Sequence, residues 1–134
     1  VLNQTLNLQH HTDMQIQLEA HETHTIQAYG DTEIKINHVI YHNNLILSRH
    51  TLITPWIIQE TSTQLLDLEP EIVILGTHTP DKLRQLEVTK NLMQQLCKKQ
   101  IGVECMKLDA ACRTFNILLS EHRHVVAGFV FDLA

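Results

Sequence analysis

The stretch "EIVILG" at residues 71–76 constrains the fold more than any other. A near-continuous run of apolar, mostly β-branched residues, without polar alternation, is what a strand covered on both faces requires. The rest of the C-terminal half supplies its partners. "IGVECMKL" reads as a second strand, "DAACRTFNILLSEH" as a helix and "HVVAGFVFDL" as a last strand. Between Gly76 and Ile101 another helix is required. Val88–Thr89 followed by Leu92, Met93, Leu96 and Cys97 places it at about 88–99, and Thr79-Pro80-Asp81, a good helix-start signature, leaves 80–87 as a loop or an extra turn. The basic pair Lys98–Lys99 suits its C-terminus, and Gly102 follows. The first two strands should be parallel through a crossover, the last either parallel or antiparallel.

The N-terminal half alternates instead. "MQIQLEA" puts Met14, Ile16 and Leu18 on one side of a half-buried strand. "HTIQAYGDTEIKINHVIYHNNLILSRHTLIT" reads as short strands separated by turns at Gly30–Asp31, Asn37–His38 and Asn43–Asn44. These loops leave no room for a crossover helix, so a meander of antiparallel hairpins is expected. After Pro55–Trp56, "ETSTQLLDLEP" predicts one short helix, capped by Thr61 or Ser62 and stopped by Pro70. The only tryptophan, Trp56, is expected to plug the join between layers, with an interface anchor as the rival reading.

A chain of 134 residues suits one domain, 1–134, with the first eleven residues expected to be loose. With 43% hydrophobic but only 4% aromatic residues, the core must be built mainly from Leu, Ile and Val. A formal charge of −5 and no basic cluster beyond Lys98–Lys99 argue against nucleic acid as a partner. Cys97, Cys105 and Cys112 are an odd number without C-x-x-C spacing, which predicts free thiols. No stretch approaches ~18 apolar residues, and the first residues lack a signal-peptide pattern. A soluble, not membrane-spanning protein is expected, cytoplasmic in a bacterium or in the mitochondrial matrix of a eukaryote. Neither G-x-G-x-x-G nor G-x-x-x-x-G-K occurs, so no cofactor is implied. Of ten histidines, His38 and His42 would share a strand face and His122 and His124 straddle a turn, but no H-E-x-x-H or Cys/His array forms, and no metal site is expected.

Residues 108–122, "LDAACRTFNILLSEH", carry the densest chemistry. Asp109 can cap a helix whose apolar face is Ala111, Phe115, Leu118 and Leu119. Cys112 would then sit at the third helical position, where free amides and Arg113 favour a thiolate, with Asn116 one turn on. Asp109 and Arg113 are also spaced to pair with each other. The competing reading makes Cys112 a small buried hydrophobe, and Cys97 and Cys105 read as core.

"EPEIVILGT", "IGVECMKLDAACRTFNILLSEHRHVVAGFVF" and "AYGDTEIKINHVIYHNNLIL" resemble a family of small domains of unknown function that includes the mitochondrial respiratory complex I assembly factor three and short bacterial proteins. The likeness covers about residues 25–132. Its most specific part is Gly102-Val103-Glu104 followed by Ala111-Cys112-Arg113-Thr114-Phe115-Asn116. The resemblance implies an α/β fold: a three-layer domain with a mixed central sheet flanked by helices and an N-terminal antiparallel hairpin layer. It implies no catalytic mechanism, and its mitochondrial members are assembly partners of a respiratory enzyme. Where members usually show Gly-Thr-Gly and Glu-Gly-Arg turns, this chain has Gly76-Thr77-His78 and Glu121-His122-Arg123, so His122 should carry strain as a helix cap.

In open α/β sheets, sites lie outside the carboxyl ends of parallel strands. That rule brings Gly76, Thr77 and His78 together with Asp109, Cys112, Arg113 and Asn116. The expectation is a non-enzymatic protein-interaction or assembly module whose partners include respiratory-enzyme subunits. Its rivals are a thiol-dependent enzyme or redox sensor using Cys112 and a small-anion binder in this crevice. A homodimer through a hairpin edge or the Trp56 region is compatible with the sequence.

Overall fold

The computed structural model describes residues 5–9, 15–19, 22–58, 62–131 and 133. In chain order the elements are β1 (Thr5–Gln9), β2 (Gln15–Glu19), β3 (Ile26–Tyr29), β4 (Ile34–Ile36), β5 (Val39–Tyr41), β6 (Leu45–Leu47), β7 (Thr51–Thr54), α1 (Ser62–Asp67), β8 (Ile72–Thr77), α2 (Pro80–Gln85), α3 (Glu87–Lys98), β9 (Gly102–Lys107), α4 (Leu108–Ser120) and β10 (Val125–Val130). A seven-stranded sheet has the order β1-β2-β7-β6-β10-β8-β9, and β3-β4-β5 form a separate antiparallel sheet. The expected α/β fold, with a mixed sheet between helices, is what the chain adopts.

β10 joins the two halves of the large sheet. It runs antiparallel to β6, with Gly128 opposite Ile46, and parallel to β8, with Ala127 opposite Ile74. β8 is in turn parallel to β9. Alternation along these strands then sorts the core. Leu45, Leu47, Ile74, Val125, Ala127 and Phe129 face α4 and the small sheet's Ile26, Ile34 and Ile36. Ile46, Val73, Leu75, Val126 and Val130 face Trp56, Leu65 of α1, Leu83 of α2 and Leu92 and Leu96 of α3. Three layers result, as expected, and Trp56 is core.

The hairpin meander is corrected in one respect. β2 bypasses the next four strands and pairs with β7, Leu18 opposite Leu52, and of those four only β6 stays in the large sheet while β3–β5 leave it. Alternation shows which face of a strand is apolar but not which strand lies beside it. Here Ile26, Ile34 and Ile36 are buried against α4 and the face of the large sheet. Within the first eleven residues, 5–9 form β1 and pair with β2; Met14 and Thr61 lie outside the described residues.

Other boundaries moved for local reasons. Residues 80–85 form their own helix because Pro80 opens it and Leu83 is buried, and extended Leu86 (ψ 137°) breaks it from α3. Gly102 begins β9, while the left-handed residue after α3 is Gln100 (φ 60°). Gln100 N donates to Cys97 O at 2.9 Å and Ile101 N to Leu96 O at 2.9 Å, the paired bonds of a Schellman cap. His122 (φ 60°) plays the same part after α4, as the departure from glycine predicted, with His122 N on Leu119 O and Arg123 N on Leu118 O. Asn37 and His38, both at positive φ, make the two-residue β4–β5 turn, so His38 does not share a strand face with His42. Cys97 is exposed rather than core, whereas Cys105 is buried.

Candidate functional site

At the carboxyl ends of β8 and β9 the chain does bring residues 76–78 and 107–113 together. They meet at an open cleft of about 360 Å³ lined by Tyr29, Gly30, Asp31, His78, Lys107, Leu108 and Asp109. His78 Nε2 donates a hydrogen bond to the Asp31 carbonyl, which ties the β3–β4 turn to the end of β8.

Gly76 does not approach a ligand. A Cβ there would lie 2.6 Å from Ala111 Cβ and 3.0 Å from the Phe129 ring, so its missing side chain lets α4 lie against the sheet. Gly128 does the same on the opposite face, where a Cβ would meet the Trp56 ring at 2.5 Å. Thr77 is buried beside Gly76.

α4 begins at Leu108 after the extended Lys107, so Asp109 lies inside the first turn instead of capping it. Its Oδ1 accepts from the adjacent Ala110 N at 2.8 Å, not from Ala111 or Cys112. Cys112 is thereby the fifth helical residue instead of the third, and it is 1% exposed. Burial first, and then the Asp109 carboxylate, push the thiol up to about 12, against the opposing pull of Arg113. The position that would have activated the thiol belongs to another residue.

Arg113 Nη1 donates to Tyr29 Oη at 3.0 Å and stands 3.8 Å from Asp109 Oδ2. Asn116 is bound at both ends of its amide to one residue of β3: Nδ2 donates to Ile26 O at 2.8 Å, and Oδ1 accepts from Ile26 N at 3.1 Å. Ala111, Cys112 and Phe115 fill the core below. The run 111–116 therefore locks α4 to the sheet on one side and to β3 on the other.

Tyr29 and Asp31 were not singled out from sequence; only the docking of the small sheet places them opposite Arg113 and His78. At the other end of the parallel strands, Arg49, His50, Arg123 and His124 line a cleft of about 270 Å³. There the Glu71 carboxylate accepts from Arg123 Nε at 2.8 Å and from His124 N at 3.0 Å, and these bonds hold it below the usual carboxylate range. Among the described residues, no three His, Cys, Asp or Glu side chains are grouped to hold a metal ion, and no helix is long and apolar enough to cross a membrane.

Comparison with known proteins places this architecture. The family described as protein of unknown function (DUF498/DUF598) matches residues 26–130. The "13 kDa major membrane protein" of Francisella tularensis is 36% identical over 61 residues, 46% of each chain. NADH dehydrogenase (ubiquinone) 1 alpha subcomplex assembly factor 3 of Drosophila melanogaster is 32% identical over 74 residues, 54% of this chain and 38% of that protein. The chain thus aligns with less than half the length of either curated relative. The NMR structure of Xanthomonas campestris XCC1710 superposes with a TM-score of 0.66 at 26% identity, over 92% of this chain and 89% of that one.

Proposed function

From a chain that belongs to the DUF498/DUF598 family of proteins of unknown function, we infer a non-enzymatic protein-interaction or assembly module. One observation carries the reading: Cys112, Arg113 and Asn116, the side chains singled out for chemistry, are engaged within the chain. Asn116 and Arg113 bind β3, and the Cys112 thiol is buried and held protonated. The thiol-enzyme alternative, which names Cys112 as its nucleophile, finds that thiol inaccessible. An anion entering the neighbouring cleft would meet the Asp31 and Asp109 carboxylates as well as Lys107, and the Ala110 amide is already taken by Asp109.

The similarity to an assembly factor of NADH dehydrogenase supports subunits of a respiratory enzyme as partners, met in the bacterial cytoplasm or the mitochondrial matrix. Exposed apolar side chains support a protein contact. Val39 and Ile40, 51% and 48% exposed, lie side by side on β5 at the edge of the small sheet. Affinity capture from native lysate after mild cross-linking is expected to recover specific membrane-enzyme subunits. A partner-free eluate, together with fast alkylation of Cys112 in the folded protein, would overturn the assembly reading in favour of thiol chemistry.

A further inference from the structure

The cleft at the amino ends of β8 and β10 holds about 270 Å³, less than the roughly 300–1,000 Å³ of pockets for drug-sized ligands, so it suits a small molecule or group. One wall is the β6–β7 turn with Arg49 and His50, and another is the α4–β10 connector with Arg123 and His124. Leu68 and Val126 give it an apolar side. Among the described residues no carboxylate lines it, in a chain whose net charge is −5. The cleft beside the start of α4, in contrast, sets Asp31 and Asp109 against Lys107.

The structural work of the two arginines leaves most of their donors unused. Arg49 Nη2 donates to Leu119 O at 3.0 Å, which ties the turn to the end of α4, and Arg123 Nε donates to Glu71 Oε1 at 2.8 Å. A guanidinium carries five N–H donors, so each arginine is fixed at one corner and open at the others among the described residues. Thr51 adds an observation of a different kind. It is only 9% exposed, its backbone N–H donates to Ser48 Oγ and its C=O accepts from Ser48 N, yet its hydroxyl has no partner among the described residues. Alternation along β7 puts Thr51 on the face of Ile53, where Leu68 and Val126 also lie, and so turns that hydroxyl into the cleft.

We propose that this cleft binds a small carboxylate carrying a short branched apolar group: its oxygens accept from Arg49, Arg123 and the Thr51 hydroxyl, and its apolar group lies against Leu68 and Val126. Arginine and hydroxyl donors with no facing carboxylate match a head group that only accepts, and a guanidinium meets a carboxylate at two points. Glu71 already offsets Arg123, so with both histidines neutral the walls keep one uncompensated positive charge, that of Arg49, which selects a monoanion. A phosphate dianion would exceed that charge and set an oxygen against the apolar side, where it finds no donor. The site stands apart from the assembly reading and from the residues of α4 that dock the small sheet.

Amide NMR of the folded chain, titrated at constant ionic strength with the sodium salts of isovaleric acid, N-acetyl-leucine, acetic acid and phosphoric acid, tests this. Isovalerate and N-acetyl-leucine should give saturable shifts at Thr51, at residues 124–126 and at the Arg49 side chain, and bind about tenfold more tightly than acetate. Phosphate should bind no better than acetate. Tighter binding of N-acetyl-leucine identifies the last residue of a partner chain as the natural source, and tighter binding of isovalerate a free acid. Arg49→Gln should weaken the better probe about tenfold and Thr51→Val about fivefold, while Lys107→Gln, in the other cleft, leaves it unchanged. If Arg49→Gln does not fold, Thr51→Val decides alone. No saturable shift with any of these salts, phosphate binding as tight as isovalerate, or an affinity that Thr51→Val does not move overturns the proposal.

Discussion

The two faces of the large sheet are covered by different means. On one, α4 and the small sheet are stitched down by named polar contacts: both ends of Asn116 on Ile26, Arg113 on Tyr29 and His78 on Asp31. On the other, α1–α3 lie against the sheet chiefly through an apolar cluster around Trp56, with polar ties at its margins, Gln64 of α1 on Gln15 of β2 and Arg84 of α2 on the Cys105 carbonyl of β9. Among the described residues, that second face leaves two buried polar atoms, Trp56 Nε1 and Thr89 Oγ1, without a hydrogen-bond partner. An apolar cover can be met by many residue combinations of similar volume, whereas a polar clamp needs one side chain at one position. A recognisable motif therefore marks the first face and not the second.

The largest effect expected on the stitched face is nevertheless apolar. Phe115→Ala removes a fully buried ring from beneath α4 and should cost about 3–5 kcal/mol in chemical denaturation. If Leu92→Ala, on the opposite face, costs as much, the faces share their hydrophobic foundation and differ only in the stitching.

Asn116→Ala isolates the stitching. It leaves the Ile26 N–H and C=O without their side-chain partner, a loss of roughly 2 kcal/mol. Exchange of β3–β5 amides should quicken while β8 and β10 stay protected. Uniform loss of protection across both sheets would show that the small sheet is not held by this clamp.

Thr89→Val probes the other face with the smallest change. Replacing a fully buried, unpartnered hydroxyl by a methyl of similar shape should raise stability by about 1 kcal/mol. A loss instead would reveal that the hydroxyl is satisfied and that the two faces are less different than they look.

The sequence showed clearly where its own local rules govern. The unbroken apolar run 72–75 announced a strand buried on both faces, and Pro70, Gly76 and the periodic Leu92 and Leu96 bounded the elements around it. Turn chemistry placed Asn37–His38, and the missing glycine at residue 122 correctly pointed to a residue at positive φ. The candidate site was legible only as a place. Asp109, Cys112, Arg113 and Asn116 do fall on one helix, but their separate work could not be read from helical spacing, because each is decided by what docks against α4.

By itself, then, the chain determined its elements, their apolar faces and the meeting of residues 76–78 with the start of α4. These follow from periodicity, caps and connection length, which act within a dozen residues or so. Only the tertiary structure decided that β2 pairs with β7, that β3–β5 form a second sheet, that Gly76 makes room for Ala111, and that Cys112 is buried. Each depends on burying one surface against another far away in the chain, and no local pattern names the partner.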